Sequence, residues 1–236
     1  MNMPLNTTAD VNDPIAHARY NLIEQQIRTW NVASSQVLEA LGQVQREQFV
    51  PAAYRSMAFV DMEIPLLGEP QAALQSGQCM LKPNVEARML QDLQLTKDDR
   101  VLEIGAGSGH MAALLAQLAA QVVTLEIDPA LALMARQNLE RAGVTNASVR
   151  QADGALDPIP DGPFDAIVLS GSVAEVPTRL LDLLAPGGRL LAITGQEPVM
   201  RATLVRRTGE RFDVSYPWDV NAPRLQHFGE PPAFRF

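Results

Sequence analysis

Cysteine is nearly absent: Cys79 is the single thiol in 236 residues, so no internal disulfide can form, and the reducing cytoplasm is the expected compartment. The opening MNMPLNTTADVNDP agrees, because it lacks the basic start and apolar stretch of a secretory signal. Long apolar runs are also missing. The best candidates are interrupted by Gln117, Gln121 and Glu126, well short of the ~20 residues that cross a bilayer, so no membrane partner is expected. Basic residues are in the minority, with 19 Lys and Arg against 27 Asp and Glu, a net charge of −8 and a pI of about 4.9. Such a surface repels a phosphate backbone, and nucleic acid is not expected as a partner. The one basic cluster, Arg201, Arg206, Arg207 and Arg211, reads as a solvated strand or hairpin with its charges outward. His17, His110 and His227 are isolated and none has a second ligand at helical or finger spacing, so no metal is expected. Internal repeats and low-complexity segments are absent.

What is present is a foldable chain. A composition 47% hydrophobic and 19% charged excludes a disordered, collagenous or disulfide-scaffold protein and suits one main domain with additions. Residues 1–12 are polar without periodicity and are expected as a disordered tail. Asp13-Pro14 reads as a helix cap followed by proline at the first helical position, ahead of Ile15, Leu22, Ile23, Ile27 and Trp30 at helical spacing. A second helix, capped by Ser34 or Ser35, buries Val37, Leu38 and Leu41. Between 46 and 83, Pro51, Pro65, Gly68, Pro70 and Gly77 break the pattern into irregular structure with short helical pieces. Strands are expected over 100–104, 122–126, 148–151, 164–170 and 189–194, with helices after the first, second and fourth. The last of these helices is expected over 177–184. This alternation predicts an α/β fold with a mostly parallel sheet covered by helices on both faces. Residues 199–207 and 210–216 read as a closing antiparallel pair turning at Thr208-Gly209, followed by a Pro-containing tail.

The stretch 101–110, VLEIGAGSGH, carries the most information. Its three glycines fall between a buried strand and a helix, where missing Cβ atoms let a ligand approach the backbone. A dinucleotide fingerprint needs G-x-G-x-x-G, and its last glycine would fall on His110; the spacing is G-x-G-x-G instead. Glu103, two residues before the first glycine, suits a ligand bearing an ammonium group and is ill-suited to pyrophosphate. Glu126 ends the second strand, placed for two ribose hydroxyls, and Asp153-Gly154 follows the third, where a carboxylate can take an adenine amino group. Three carboxylates at successive strand ends match S-adenosylmethionine, with S-adenosylhomocysteine as its product. An NAD-dependent oxidoreductase is opposed by the glycine spacing.

With these residues in hand the chain resembles the class I methyltransferases, and within them the protein-L-isoaspartate O-methyltransferases, over roughly residues 19–194. The likeness rests on VLEALGQVQREQFV with its R-x-x-F-V ending, on Pro83, on Ala87-Arg88-Met89 and VLEIGAGSGH. It continues through Ala152-Asp153-Gly154, Pro163-Phe164-Asp165-Ala166-Ile167 and Leu184-x-Pro-Gly-Gly. The resemblance implies a Rossmann-like fold with an N-terminal helical extension and C-terminal antiparallel strands. It further implies a protein or peptide acceptor and methylation of an isoaspartyl carboxylate, which is ionised at neutral pH and needs no general base. It divides the chain into an extension with a substrate loop at 13–98, a cofactor-binding core at 99–216 and a tail at 217–236. The implied cofactor-binding residues are Glu103, Gly105, Ala106, Gly107, Ser108, Gly109, Glu126, Ile127, Asp153, Gly154 and Ser170. The implied substrate loop comprises Gln78, Cys79, Met80, Leu81 and Pro83. Here the chain departs from the family pattern G-Q-T-I-S-x-P: Cys79 and Leu81 replace the two hydroxyl residues, so no catalytic residue is assigned. Two alternatives stay open, a methyltransferase of another acceptor and a cofactor-binding module without transferase activity.

Overall fold

The structure is a computed structural model that describes residues 13–230, so the expected tail at 1–12 lies outside the described residues. Helix α1 (Pro14–Asn21) opens as expected, the Asp13 carboxylate accepting from the Ile15 N–H at 2.9 Å. The helical run continues to Trp30 but changes its winding, with Leu22–Ile27 in a π-helix and Arg28–Trp30 in a 3-10 turn. Helix α2 (Ser35–Gln43) is capped by the Ser34 hydroxyl, which accepts from the Val37 N–H at 3.4 Å, and it buries Val37, Leu38, Ala40 and Leu41. The irregular stretch contains 3-10 turns at Arg46–Gln48 and Ala52–Phe59. It also holds a small antiparallel pair, β1 (Ile64–Pro65) with β2 (Cys79–Met80), flanking helix α3 (Pro70–Gln75).

Helix α4 (Pro83–Leu93) was not legible in the sequence pattern. Its apolar stripe of Val85, Ala87, Met89, Leu90 and Leu93 is interrupted by Asn84 and Glu86, which are buried along with it, so hydrophobicity alone does not trace the packed face. The regular alternation follows: β3 (Arg100–Ile104), α5 (His110–Leu118), β4 (Gln121–Glu126), α6 (Pro129–Arg141), β5 (Ala147–Gln151), β6 (Phe164–Val173), α7 (Thr178–Leu181), β7 (Leu184–Gln196), β8 (Val199–Thr208) and β9 (Arg211–Ser215). The sheet order is β5-β4-β3-β6-β7-β8-β9, parallel from β5 to β7 and antiparallel at the last two pairings.

Three expected boundaries are corrected. The helix expected over 177–184 spans only Thr178–Leu181, and the strand expected over 189–194 begins at Leu184. Leu184 already pairs with Phe164, after which the register shifts. At the shift a Cβ on Gly188 would come within 3.1 Å of the Phe164 and Asp165 carbonyls, so the bulge requires a glycine there. Strand β6 likewise runs past the expected Ser170 to Val173.

Strand side chains alternate between two cores. Val101, Val122, Ala166, Val168, Leu191 and Ile193 pack with α2, α4, α5 and α6. Leu102, Ile104, Val123, Leu125, Ile167 and Leu169 face Leu180 of α7, Ile159, Leu225 and Phe228. The segment after Tyr216, expected as a Pro-containing tail, is docked on the sheet. Ser172 donates its N–H to the Pro223 carbonyl at 2.7 Å and accepts from the Leu225 N–H at 2.9 Å, while the Trp218 indole donates to Asp92 at 2.6 Å.

One buried arginine fastens α4 to the sheet. Arg189 of β7 donates to the Leu93 carbonyl at 2.6 Å, the Gln94 carbonyl at 3.0 Å, the Asp165 carbonyl at 3.1 Å and the Asp99 carboxylate at 2.6 Å. Burial alone would raise the Asp99 pKa, but hydrogen bonds from Arg189 and the Thr96 N–H outweigh it and hold the carboxyl below its ordinary value. A depressed carboxyl pKa adds stability above the unfolded value and loses it as pH falls through the folded one. Arg189→Met is therefore expected to lower unfolding stability by about 3 to 5 kcal/mol in urea titrations at pH 7, and the gap between the two proteins should narrow below about pH 4.

Candidate active site

Strands β3 and β4 run in parallel with Ile104 opposite Leu125, so they end level and the residues beyond them share one edge. The glycine loop begins there. Gly107 and Gly109 adopt φ of +51° and +84°, a left-handed region that disfavours side chains. Gly109 also lies where α5 crosses α6, and a Cβ would sit 3.2 Å from the Ala135 backbone. Ala106 and Ser108 are buried, and the Ser108 carbonyl accepts from Asn138 of α6 at 2.8 Å.

Glu126 secures this loop. Its Oε2 accepts from the Gly107 N–H at 2.8 Å and its Oε1 from the Asp128 N–H at 3.0 Å, while burial raises its pKa. A carboxylate offers about four acceptor positions, so about two remain for a further ligand. Glu126 shares a cleft with Gly105, Ile127, Asp153 and Gly154. Asp153 is more engaged than the sequence reading allowed: Oδ1 accepts from the Ala155 N–H at 2.8 Å and Oδ2 lies 2.6 Å from His227 Nδ1. Burial would raise the Asp153 pKa, but these hydrogen bonds hold it below its usual range. Leu225 and Phe228 line the same cleft, a contribution that the sequence, read as ending in a tail, did not disclose.

Glu103 lies fully buried beneath the loop. Its Oε1 accepts from the Ser170 hydroxyl at 2.7 Å, its Oε2 has no partner among the described residues, and burial pushes its pKa up to about 7. Ser170 therefore stands between Glu103 and a second cavity, on the other side of Gly105. That cavity is bounded by Cys79, Met80, Leu81, Glu86, Gly107, His110 and Ser170.

The expected substrate loop forms one wall of this second cavity. The Gln78 amide donates to Asp128 at 2.9 Å, tying the loop to the start of α6. Cys79 is half-buried, and burial together with the Glu63 carboxylate pushes its thiol pKa up to about 12, so it is no thiolate nucleophile. Met80 and Leu81 are buried. The Leu81 side chain belongs to the core, and its carbonyl accepts from Arg46 Nη2 at 2.8 Å. Pro83 then starts α4. Sequence reasoning missed the polar cluster behind this wall, Arg46, Glu86 and His110. They are separated by 40 and 24 residues in sequence, and no local spacing joins them. Outside the loop, Glu63, Gln71, Lys82, Gln196 and Arg224 border an open cleft of about 900 Å³.

Among the described residues no group of three or more His, Cys, Asp or Glu side chains forms a metal site, and no helix is long and apolar enough to cross a membrane. The arrangement provides two cavities that both border Gly105, one with spare carboxylate acceptors and one walled by the Cys79–Leu81 loop.

The comparisons agree with this geometry. The family described as Protein-L-isoaspartate(D-aspartate) O-methyltransferase (PCMT) matches residues 17–217. A protein-L-isoaspartate O-methyltransferase of Methanoculleus marisnigri is 41% identical over 92% of this chain and 96% of its own. One from Koribacter versatilis is 37% identical over 82% of this chain and 84% of its own. Among solved structures, a protein-L-isoaspartate O-methyltransferase superposes with a TM-score of 0.75 at 24% identity, covering 88% of this chain and 65% of that one. A second, a putative protein-L-isoaspartate O-methyltransferase of Plasmodium falciparum in complex with S-adenosyl-L-homocysteine, gives a TM-score of 0.72 at 18% identity over 90% of this chain and 99% of that one. These two show the shared fold. By the extent of the family match and the identity to full-length relatives, the chain belongs to the protein-L-isoaspartate(D-aspartate) O-methyltransferase family.

Proposed function

We propose that this protein transfers the methyl group of S-adenosylmethionine to the carboxylate of isoaspartyl residues in proteins or peptides. The observation that carries the proposal is the pair of cavities bordering Gly105 in a chain of this family. The residues present fit the cofactor: Glu126 retains acceptor capacity, and Glu103 Oε2 is buried without a partner among the described residues. The cofactor supplies a methyl on a sulfonium, so that the S–CH3 bond breaks as the O–CH3 bond forms and the electron pair returns to sulfur.

In this reading Glu126 accepts from the ribose hydroxyls, and Ile127, Gly154 and Asp153 border the nucleobase. Ser170 and Glu103 stand under the ammonium end, while Gly105, Ala106, Gly107, Ser108 and Gly109 shape the floor. Gln78, Cys79, Met80, Leu81 and Pro83 wall the acceptor. The protein positions and desolvates an anion that is already nucleophilic. Residues 13–98 thus serve the acceptor and 99–216 the cofactor, with 217–230 closing over both. The acidic surface supports a peptide over a nucleic-acid partner, and the single Cys79 supports a cytoplasmic setting.

The direct test is methyl transfer from labelled cofactor to an isoaspartyl peptide beside its aspartyl twin. Label in the first alone is the expected result, and label in neither would contradict the proposal. Glu126→Ala is expected to weaken S-adenosylhomocysteine binding by about 2 to 4 kcal/mol in calorimetry, since two charge-assisted hydrogen bonds disappear. Gly107→Val should show no binding heat while melting cooperatively, because a branched Cβ at φ +51° forces the loop out of shape.

A further inference from the structure

One buried ionisable cluster has no role in the reaction as described. Arg46, from the turn after α2, Glu86 of α4 and the first residue of α5, His110, meet behind β2, their side chains at most 4% exposed. Arg46 Nη1 donates to Glu86 Oε2 at 2.5 Å, and its Nη2 holds the Leu81 carbonyl at 2.8 Å. His110 Nδ1 lies 3.1 and 3.0 Å from the two Glu86 oxygens and 3.2 Å from Arg46 Nη1. Arginine offers donors only, so in the neutral ring Nδ1 can accept from Arg46, and once the ring is protonated Nδ1 donates to Glu86. Phe49 packs against the ring edge to face at 5.4 Å. The opposite nitrogen, Nε2, has no hydrogen-bond partner among the described residues, and the ring borders the cavity between the glycine loop and Leu81.

The charged groups that face His110 are Glu86 and Arg46, with Glu47, itself paired to Arg19, behind them. Burial is the largest influence and lowers the His110 pKa. Glu86 pulls the other way and Arg46 adds to the depression, so the ring is neutral at pH 7. An anion entering this cavity meets Glu86 and, beneath Ser170, Glu103. The loop offers it a weak thiol donor at Cys79 and hydrocarbon at Leu81, and the Ser170 hydroxyl is committed to Glu103. A desolvated carboxylate there is best stabilised by a cationic donor.

We propose that His110 takes up a proton from solvent when the carboxylate of a reactant enters this cavity and donates to it from Nε2, with Glu86 holding the far side of the ring. The proposal rests on the methyltransferase reading above and deepens it, giving His110 the work of the missing loop hydroxyls. Both reactants bring a carboxylate, the acceptor at its side chain and the cofactor at its methionine end, and the same chemistry serves either. If the carboxylate is the acceptor's, methylation removes its charge, the proton returns to solvent, and release of the ester is favoured.

The test compares wild type with His110→Gln, whose amide can donate near the Nε2 position but does not titrate. The KM for an isoaspartyl peptide at saturating cofactor and the Kd for S-adenosylhomocysteine are measured from about pH 5.5 to 8.5. Titration of Glu103 is common to both proteins and cancels in the comparison. In wild type, relative to the variant, one of the two constants is expected to weaken with rising pH, by up to about tenfold per unit between the pKa values of the free and bound ring. A change in KM assigns the acceptor carboxylate, and a change in Kd the cofactor's. Identical pH profiles of both constants in the two proteins would overturn the proposal. If the variant does not fold, imidazole resonances of the three histidines in wild type replace it. The His110 titration must then move upward on addition of S-adenosylhomocysteine or peptide, and an unmoved titration would overturn the proposal equally. Failure of the methyltransferase reading is recorded separately, as absence of methyl ester from wild type.

Discussion

The level ending of β3 and β4 is the constraint on which the rest of the site depends. Because Ile104 sits opposite Leu125 in a parallel register, the glycine loop and Glu126 emerge at one edge, and the carboxylate reaches back to hold the Gly107 N–H. A slip of one residue would turn Glu126 to the opposite face and leave the loop without its anchor. The same edge receives the chain from both ends: the Cys79–Met80 strand approaches from the N-terminal side, and the segment around Leu225 approaches from the C-terminal side. The site is thus assembled from distant pieces of sequence around one short hydrogen-bonded loop.

The acceptor side is built on a different physical basis. There the wall is mostly hydrocarbon from Met80 and Leu81, held by a buried arginine whose counter-charge is Glu86. Burying that pair is costly, and Arg46 offsets part of the cost by donating from Nη1 to Glu86 and from Nη2 to the Leu81 carbonyl. Loss of the hydroxyls at Cys79 and Leu81 therefore coincides with an ionisable cluster directly behind those residues. An apolar wall with a titratable ring set into it suits a reaction in which an anion becomes a neutral ester.

Much of this architecture was legible in the sequence because it is governed by local rules. The Asp13-Pro14 cap, the alternating strands and the glycine loop each follow from neighbours a few residues apart. Helix α4 escaped because Glu86 and Asn84 sit buried in its packed face, the Glu86 carboxylate compensated by Arg46 from 40 residues away. The early start of β7 escaped because Pro186-Gly187-Gly188 reads as a turn, whereas in the fold it is a bulge that Leu184 precedes in register with Phe164. The docking of residues 218–228 and the His227 contact to Asp153 depend on pairings across about 50 to 75 residues, which no periodicity reports.

The central claim is that one ligand bridges the two cavities across Gly105 and delivers a methyl group at the wall formed by Cys79 and Leu81. The most direct measurement is a crystal structure with S-adenosylhomocysteine and an isoaspartyl peptide bound together. The account requires the ribose hydroxyls on Glu126, the cofactor sulfur between the glycine loop and Leu81, and the peptide in the cleft beside Lys82 with its carboxylate turned toward that sulfur. A cofactor bound away from the glycine loop, or a peptide whose carboxylate lies outside the cavity lined by His110, would contradict it.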